Sequence, residues 1–363
     1  MMTALTTDKA SPAETHSAAE PFVELKALRK EFSGNVAVDD VTLSIFKGEF
    51  FSLLGPSGCG KTTTLRMIAG LETLSGGAIS IAGNVVSTVG KTMPAEARGV
   101  GIVFQDYALF PHMTVFENVA FGLHRQNKTF IADRVKELLG VVGLEGADKK
   151  YPHELSGGQR QRVALARSLA PCPSVILLDE PFSNLDAELR VSLRNETKEI
   201  LKANGATVVL VTHDQEEAFS LSDRVGLLNA GKLEQLDVPY KIYHNPVSRF
   251  VAEFTGIADF VPAKVQAGEV VSALGRFLKN GFKYPDSTQG HLMIRPDDVK
   301  VVPDPHGGAV VTGVRFLGAD ALYTLGLPEG ILLHSLMSST SLIPEGSRVK
   351  VTFDPEHTVF FPG

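Results

Sequence analysis

Hydrophobic patterning divides the chain into two textures. From Phe22 to about Gly256, short apolar runs alternate with stretches of helical spacing. Phe22–Leu28 and Val41–Ile45 read as strands, and Phe50–Leu54, Val175–Leu178 and Thr207–Val211 are continuous apolar runs. Runs of that kind suit strands covered on both faces. Residues 61–71 place Leu65, Ile68 and Ala69 at helical spacing, and residues 130–143 do the same with Ile131, Val135, Leu138 and Leu139. Residues 159–170 predict a helix with a basic side carrying Arg160, Arg162 and Arg167. The alternation predicts an α/β domain with a largely parallel sheet.

After Gly256 helical spacing fades. Leu292–Arg295, Ala309–Phe316, Ile331–Ser335 and Arg348–Phe353 are short β-rich segments separated by Gly, Pro and Asp. That spacing predicts a small β-barrel. The boundary falls within 240–262, where Tyr240–Phe254 reads as one connecting helix containing Pro246. The expected division is a disordered tail over residues 1–21, an α/β domain over 22–256 and a barrel over 257–363.

Chemistry enters at Gly55-Pro56-Ser57-Gly58-Cys59-Gly60-Lys61-Thr62-Thr63, which follows the apolar run Phe50–Leu54. Glycines in such a loop let successive N–H groups point inward and cradle an anion. Lys61 supplies a mobile charge for the β- and γ-phosphates, and Thr62 a hydroxyl for Mg2+. The helix that follows adds its N-terminal partial positive charge. Cys59 lies inside this loop, where the helix dipole and Lys61 are expected to favour the thiolate. Leu155-Ser156-Gly157-Gly158-Gln159 is a second loop suited to phosphate at a helix start. Together the two loops predict a nucleotide held between two surfaces.

Val175–Leu178 ends in Asp179 and Glu180. Carboxylates at a strand's C-terminal end face the crevice where open α/β sheets bind ligands. Asp179 is the expected Mg2+ partner, and Glu180 is expected to polarise the attacking water, since phosphoryl transfer depends on positioning and charge. His213 follows another apolar strand and is expected to donate a hydrogen bond near a phosphate. Gln105, after Gly101–Phe104, is expected to reach Mg2+ and the water.

In order and spacing, the phosphate loop, Gln105, Leu155–Gln159, Leu177-Leu-Asp-Glu-Pro181, Ser183–Asp186 and His213 resemble the ATP-binding cassette (ABC) family over residues 22–256. The resemblance implies an α/β P-loop NTPase cassette with a helical subdomain, working as a head-to-tail homodimer. Each ATP would be held by the phosphate loop of one subunit and by Ser156, Gly157, Gly158 and Gln159 of the other, with Asp186 coupling the two sites across the interface. Phe32 stands where many relatives stack an aromatic ring on adenine, and Val38 would line the other side.

The second domain resembles, through Ile294–Val299 and Val349–Asp354, the OB-like (TOBE-like) accessory barrel of the importer class that serves maltose, polyamines, sulfate and iron(III). Tyr151–Gln159, Asp179–Asp186 and Phe250–Phe254 look most like the iron(III) branch, with polyamine import as the alternative. The resemblance implies ATP and Mg2+ as ligands, transmembrane permease subunits as partners, a substrate-binding protein as an indirect one, and a peripheral place on the cytoplasmic face of the membrane. Tyr107–Phe116 is apolar, aromatic and broken by Pro111; it is expected to receive a permease helix, with Phe110 and Met113 as anchors.

Composition narrows the alternatives. The 363 residues are 44% hydrophobic and carry a net charge of −6. The charge gives no support to nucleic-acid binding. No apolar run is long enough to span a bilayer, and the Ala-, Thr- and Ser-rich first 20 residues lack the apolar core of a secretory signal. Two isolated cysteines, Cys59 and Cys172, point to a reducing compartment rather than a disulfide framework. A repair-type cassette would carry a long insertion between Gln105 and Leu155, where this chain has about fifty residues, and a translation-type one would carry two cassettes. A soluble phosphoryl-transfer enzyme would leave Leu155–Gln159 unexplained.

Overall fold

A turn at Ser33–Gly34, both residues left-handed (φ 48° and 88°), folds β1 (Val23–Phe32) back on β2 (Asn35–Ile45). Two positive-φ residues match the twist of an antiparallel hairpin. This is seen in a computed structural model that describes residues 20–277, 284–353 and 359–363; the tail expected over 1–21 lies outside the described residues up to residue 19. β3 (Phe50–Leu54) joins a different sheet, while β4 (Gly76–Ile81), β5 (Asn84–Thr88) and β6 (Lys91–Thr92) extend the hairpin in the order β2-β1-β4-β5-β6, antiparallel throughout. This antiparallel sheet stands in addition to the largely parallel one that the sequence predicts. Its strands are half-exposed and joined by tight turns, which the long apolar runs of the other sheet overshadow in the sequence.

The parallel sheet adds β7 (Val100–Val103), β8 (Val175–Asp179), β9 (Thr207–Thr212), β10 (Arg224–Asn229) and β11 (Lys232–Asp237), in the order β11-β10-β3-β9-β8-β7. Only the β10–β11 pair is antiparallel. The continuous apolar runs are explained by this sheet's two covered faces. Phe50, Ile176, Leu178, Val208 and Leu210 enter one core, and Phe51, Leu53, Val175, Leu177, Val209 and Val211 the other, because successive side chains alternate across a strand.

α1 (Lys61–Ala69) follows β3. Between β7 and β8 come α2 (Val115–Ala120), α3 (Lys128–Val141) and α4 (Gly157–Leu169), a helical subdomain packed through Val119, Leu138 and Val163. α5 (Ala187–Ala203) follows β8 and α6 (Gln215–Leu221) follows β9. In register, Leu54 pairs with Thr212 and Asp179 with Val211, while Val103 pairs with Leu178. The loops after β3, β7, β8 and β9 therefore leave from one edge.

The chain forms two compact units, residues 1–239 and 240–363. The second begins at Tyr240, the early edge of the 240–262 stretch expected to hold the boundary. In place of one helix over Tyr240–Phe254 there are two, α7 (Pro239–His244) and α8 (Arg249–Phe254). Pro246 lacks the N–H to continue the first helix, and Ser248 caps the second, its hydroxyl accepting from Val251 N at 3.3 Å. The rest of this unit is all β: β12 (Asp259–Gln266), β13 (Glu269–Ser272), β14 (Gly275–Phe277), β15 (Gln289–Ile294), β16 (Val299–Pro303), β17 (Ala309–Phe316), β18 (Asp320–Gly326), β19 (Leu332–Ser338), β20 (Arg348–Phe353) and β21 (Val359–Pro362). They form two antiparallel sheets, β14-β13-β12-β15-β21 and β16-β20-β17-β18-β19, around one apolar core. Arg295 explains why the two helices belong here. Fully buried, it donates to the carbonyls of Tyr243, Ala252 and Ile257 and to the Thr255 hydroxyl.

Candidate active site

β3 ends in a loop in which Gly55 and Gly60 are needed for space as well as for φ, and Gly58 for φ. Gly55, Gly58 and Gly60 lie at φ 154°, 79° and 101°. A Cβ at Gly55 would sit 2.2 Å from the Leu228 carbonyl oxygen, and one at Gly60 2.4 Å from that of Ala37. Pro56, Ser57 and Gly58 form the open side of the loop, and Ser57 and Gly58 are exposed. Gly60 is the N-cap of α1 and offers no side chain, so the N–H groups of Lys61, Thr62 and Thr63 have no acceptor within the helix. The first helical bond runs from Thr64 N to Gly60 O at 2.9 Å. Lys61 is buried; its Nζ donates to the carbonyls of Gly55 (2.7 Å) and Pro56 (2.8 Å). These are weak acceptors beside phosphate oxygens, which a charged donor would exchange them for.

Two sequence expectations are corrected here. Cys59 is 3% exposed, and burial pushes its thiol above the ordinary range despite the opposing Lys61 charge. The loop does not present a thiolate. Val38 is fully buried and lies against Gly60, 3.2 Å from where a Cβ would be. It supports the loop from behind instead of lining an adenine pocket. Phe32 is exposed, with Lys30 Nζ over one face of its ring, 4.7 Å from the centroid.

Thr62 Oγ1 donates to Asp179 Oδ1 at 3.1 Å. Asp179 is buried at the end of β8, and burial is the main cause that raises its carboxyl pKa; the Thr62 hydroxyl and the charges of Arg66 and Lys61 oppose the shift, and Glu180 adds to it. A buried carboxylate short of positive charge beside a hydroxyl suits a hard, oxygen-seeking cation. Among the described residues no three His, Cys, Asp or Glu side chains gather around a metal position. The chain's oxygens that the structure brings together here are those of the Asp179 carboxylate and the Thr62 hydroxyl, few protein ligands, as expected when Mg2+ keeps waters and phosphates.

Glu180 has φ 46°, unusual for a non-glycine residue, and its N–H donates to Val211 O at 2.9 Å. Such outliers cluster at functional sites. Its Oε2 lies 3.1 Å from His213 Nδ1, and His213 itself is half exposed. Gln105 is exposed just past β7, and its carbonyl accepts from Asn184 Nδ2 at 2.9 Å. Asn184 was not singled out in the sequence; it lies in the Ser183–Asp186 stretch that carries the family resemblance.

The Leu155–Gln159 loop has a self-contained logic. Ser156 is the N-cap of α4, its hydroxyl accepting from Gln159 N (3.3 Å) while Gln159 Oε1 accepts from Ser156 N (3.0 Å). This reciprocal box uses the third N–H of the helix and leaves those of Gly157 and Gly158, which have no intrahelical acceptor. Asp186 is likewise an N-cap, accepting from Leu189 N at 2.9 Å for α5. No hydrogen bond among the described residues joins Ser156–Gln159 to the phosphate loop of the same chain.

The segment after Gln105 is less open than expected. Tyr107 is buried, and Phe110 packs on Phe121 with ring centroids 4.5 Å apart. Met113 lines a shallow groove with Phe116, Ala120, Phe121 and His124, of which Phe121 is the most exposed apolar residue.

A family model described as ABC transporter matches residues 38–183, and one described as TOBE domain matches residues 292–361. The sulfate/thiosulfate import ATP-binding protein CysA 2 of Chromobacterium violaceum is 45% identical over 97% of this chain and 98% of its own length. This chain belongs to the ABC transporter ATPases of importer type. The putrescine transport ATP-binding protein PotG of Escherichia coli is 41% identical over 90% of each chain. Among solved structures, the dimeric bacterial ABC cassette MJ0796 is 33% identical, with a TM-score of 0.54 over 60% of this chain and 98% of its own. The cbiO1 protein of Clostridium perfringens, described as part of the transporter complex cbiONQ, is 29% identical with a TM-score of 0.57, over 61% of this chain and 90% of its own.

The importer ATPase binds ATP and couples its hydrolysis to transport, on a P-loop ABC cassette with a C-terminal all-β TOBE domain. These full-length relatives set aside the non-transport ATPase alternative. The relatives are named for sulfate/thiosulfate and for polyamines, and the iron(III) expectation finds no support among them. No helix among the described residues is long and apolar enough to cross a membrane.

Proposed function

We propose that two copies of this chain close head to tail around two ATP molecules and drive a permease at the cytoplasmic face of the membrane. The observation that carries this reading is the pair of helix starts with unmatched roles. α1 opens with three unpaired N–H groups, a buried lysine and a carboxylate–hydroxyl pair. α4 opens with two unpaired glycine N–H groups and no phosphate-loop bond in its own chain. A second copy supplies the missing half of each anion site. The MJ0796 cassette, described as dimeric, supports that arrangement.

In this reading Ser57–Thr63 bind the phosphates and Lys61 turns from the loop carbonyls to them. Thr62, Asp179 and Gln105 hold Mg2+, which supplies charge neutralisation at the β- and γ-phosphates. Glu180 orients the attacking water, with His213 beside it. Phe32 stacks on adenine, Ser156, Gly157, Gly158 and Gln159 close on the ATP of the partner subunit, and Asp186 lies near that seam. The cassette spans residues 22–239 and the accessory unit 240–363. The groove at Met113 and Phe121 receives the permease, and a substrate-binding protein delivers the solute.

The solute is sulfate/thiosulfate or a polyamine, because relatives so named align over nearly the whole chain; iron(III), favoured by local sequence stretches, is the third candidate. Mixing Lys61→Ala subunits with Ser156→Arg subunits tests the assembly: heterodimers keep one intact composite site and recover part of the ATPase activity that each homodimer lacks. Absence of any recovery, with heterodimers demonstrated, removes the head-to-tail reading. Uptake of labelled sulfate, putrescine and iron(III) in cells lacking the gene then selects the solute.

A further inference from the structure

We infer that Arg167 is a positioning residue that clamps the Gln105 loop to the far end of the signature helix α4. The inference rests on the role given to Gln105 above.

The loop needs a clamp. Tyr107 and Ala108 are consecutive non-glycine residues in the left-handed region, at φ 64° and 46°. That conformation is unfavourable and persists only where the surroundings over-determine it. The Tyr107 hydroxyl is buried without a hydrogen-bond partner among the described residues, a second unfavourable feature of the same turn.

Arg167 opposes the first of these by holding the carbonyls of the turn. Its Nη1 donates to Ala108 O at 2.7 Å and its Nη2 to Tyr107 O at 2.8 Å, and its guanidinium lies 5.5 Å from the Phe110 ring centroid. One planar fork thus fixes two successive carbonyls, a geometry that lysine's single ammonium cannot copy. The loop is also pinned on either side. Asn184 Nδ2 donates to Gln105 O, and the buried Asn118 amide donates to the carbonyls of Phe110, Met113 and Thr114. Those anchors come from the Ser183–Asp186 stretch and from α2. Of these hydrogen-bond donors among the described residues, Arg167 is the one from α4, whose first turn follows Ser156 and carries Gly157 and Gly158. One continuous helix spans the roughly 16 Å from Ser156 to Arg167 at 1.5 Å per residue. Movement of the signature end is therefore passed to the carbonyls of the Gln105 loop by hydrogen bonds from Arg167, with Arg160 of the same helix beside Asp106 and Tyr107.

The test uses the full-length chain as Arg167→Ala, Arg167→Lys, Ala108→Gly and the Arg167→Ala/Ala108→Gly double variant. ATP affinity, kcat and hydrogen exchange of residues 104–110 are measured. Arg167→Ala is expected to lower kcat at least tenfold, to leave the ATP Kd within twofold, and to raise exchange in that segment; Arg167→Lys falls between. Ala108→Gly alone stays near normal. Added to Arg167→Ala it restores part of both kcat and protection, since glycine takes the left-handed turn without a clamp. Unchanged exchange in both Arg167 variants overturns the clamp, as does a kcat loss that Ala108→Gly does not relieve. Gln105→Ala separates the two readings. Normal hydrolysis in Gln105→Ala, together with raised exchange in Arg167→Ala, removes the role of Gln105 but leaves the clamp.

Discussion

Glu180 Oε2 and His213 Nδ1 lie 3.1 Å apart at the ends of two neighbouring parallel strands. The register of β8 on β9 makes the meeting possible: Asp179 pairs with Val211, and Glu180 N–H donates to Val211 O, so the chain turns with its carboxylate toward the residue after Thr212. Glu180→Gln keeps the shape and the bond reach but loses the charge that polarises water. ATP binding is expected to persist while hydrolysis falls at least a hundredfold, about 2.7 kcal/mol of transition-state stabilisation. ATP affinity and single-turnover hydrolysis check this, and near-normal turnover removes Glu180 from catalysis.

Asp179 gives a prediction with opposite signs for stability and activity. Burial raises its carboxyl pKa in the folded chain. The native state therefore binds this proton more tightly than the unfolded state, and stability falls as pH rises from the ordinary carboxylate range through the raised pKa. Asp179→Asn removes the disfavoured charge. Without nucleotide, the variant is expected to melt above the parent at pH 7, with the advantage vanishing at pH values below the unfolded carboxylate's pKa of about 3.9. With Mg2+ and ATP the order reverses, since a cation is what the buried charge answers. Melting curves at both pH values, with and without MgATP, decide it; a lower melting temperature for the free variant at pH 7 contradicts the argument.

The thiols separate a sequence expectation from the structural result. Loop position and Lys61 suggest a reactive Cys59, yet the side chain is buried and its pKa raised, while Cys172 is exposed with Arg134 Nη2 3.4 Å from its sulfur. Maleimide is expected to label Cys172 first and to leave the ATPase largely active, and Cys59 to react only as the chain unfolds. Peptide mapping of the labelled protein tests the order. Rapid labelling of Cys59 that MgATP prevents would falsify the buried-thiol reading.

The legible part of this protein is the part whose chemistry is local. Strand–loop–helix at 50–69, the acids closing β8 and the helix start at Leu155–Gln159 are each written within about ten residues, because glycine conformations and apolar runs act over that distance. What the sequence hides depends on distant partners. Val38 reads as a pocket wall until its contact with Gly60 is seen, and Cys59 as a thiolate until its burial is counted. Asn184 and Asn118 read as ordinary loop and helix residues, although they hold the Gln105 segment from two directions. Of the antiparallel sheet, parts of β1 and β2 are legible as strands, while β4, β5, β6 and the pairing are hidden for a related reason. Its strands are half-exposed, so their pattern is weaker than the continuous runs beside it.

Arg295 is the strongest case of a residue whose role lies in its contacts. In the sequence it is one letter of Ile294-Arg-Pro-Asp-Asp-Val299. In the structure it is wholly buried, stacks on Tyr243 with its guanidinium carbon 4.2 Å from the ring centroid, and donates to three carbonyls and one hydroxyl. Tyr243 in turn donates to Asp297 at 2.8 Å, and burial is the main cause pushing its pKa well above the usual phenol range. Arg295→Met fills much of the space but leaves the carbonyls of Tyr243, Ala252 and Ile257 without their donor. Hydrogen bonds from a charged group contribute about 1.5–3 kcal/mol, and a neutral one about 1 kcal/mol. Arg295→Met is therefore expected to destabilise the C-terminal unit by at least about 3 kcal/mol, and Tyr243→Phe by about 1 kcal/mol. The chain contains no tryptophan to report on this unit, so hydrogen exchange of residues 249–260 and 289–303 is the measurement of choice. Protection should fall in both segments together in Arg295→Met, because one side chain joins α8 to the end of β15. If Arg295→Met exchanges no faster than Tyr243→Phe, the helices are held by their apolar contacts and Arg295 is dispensable.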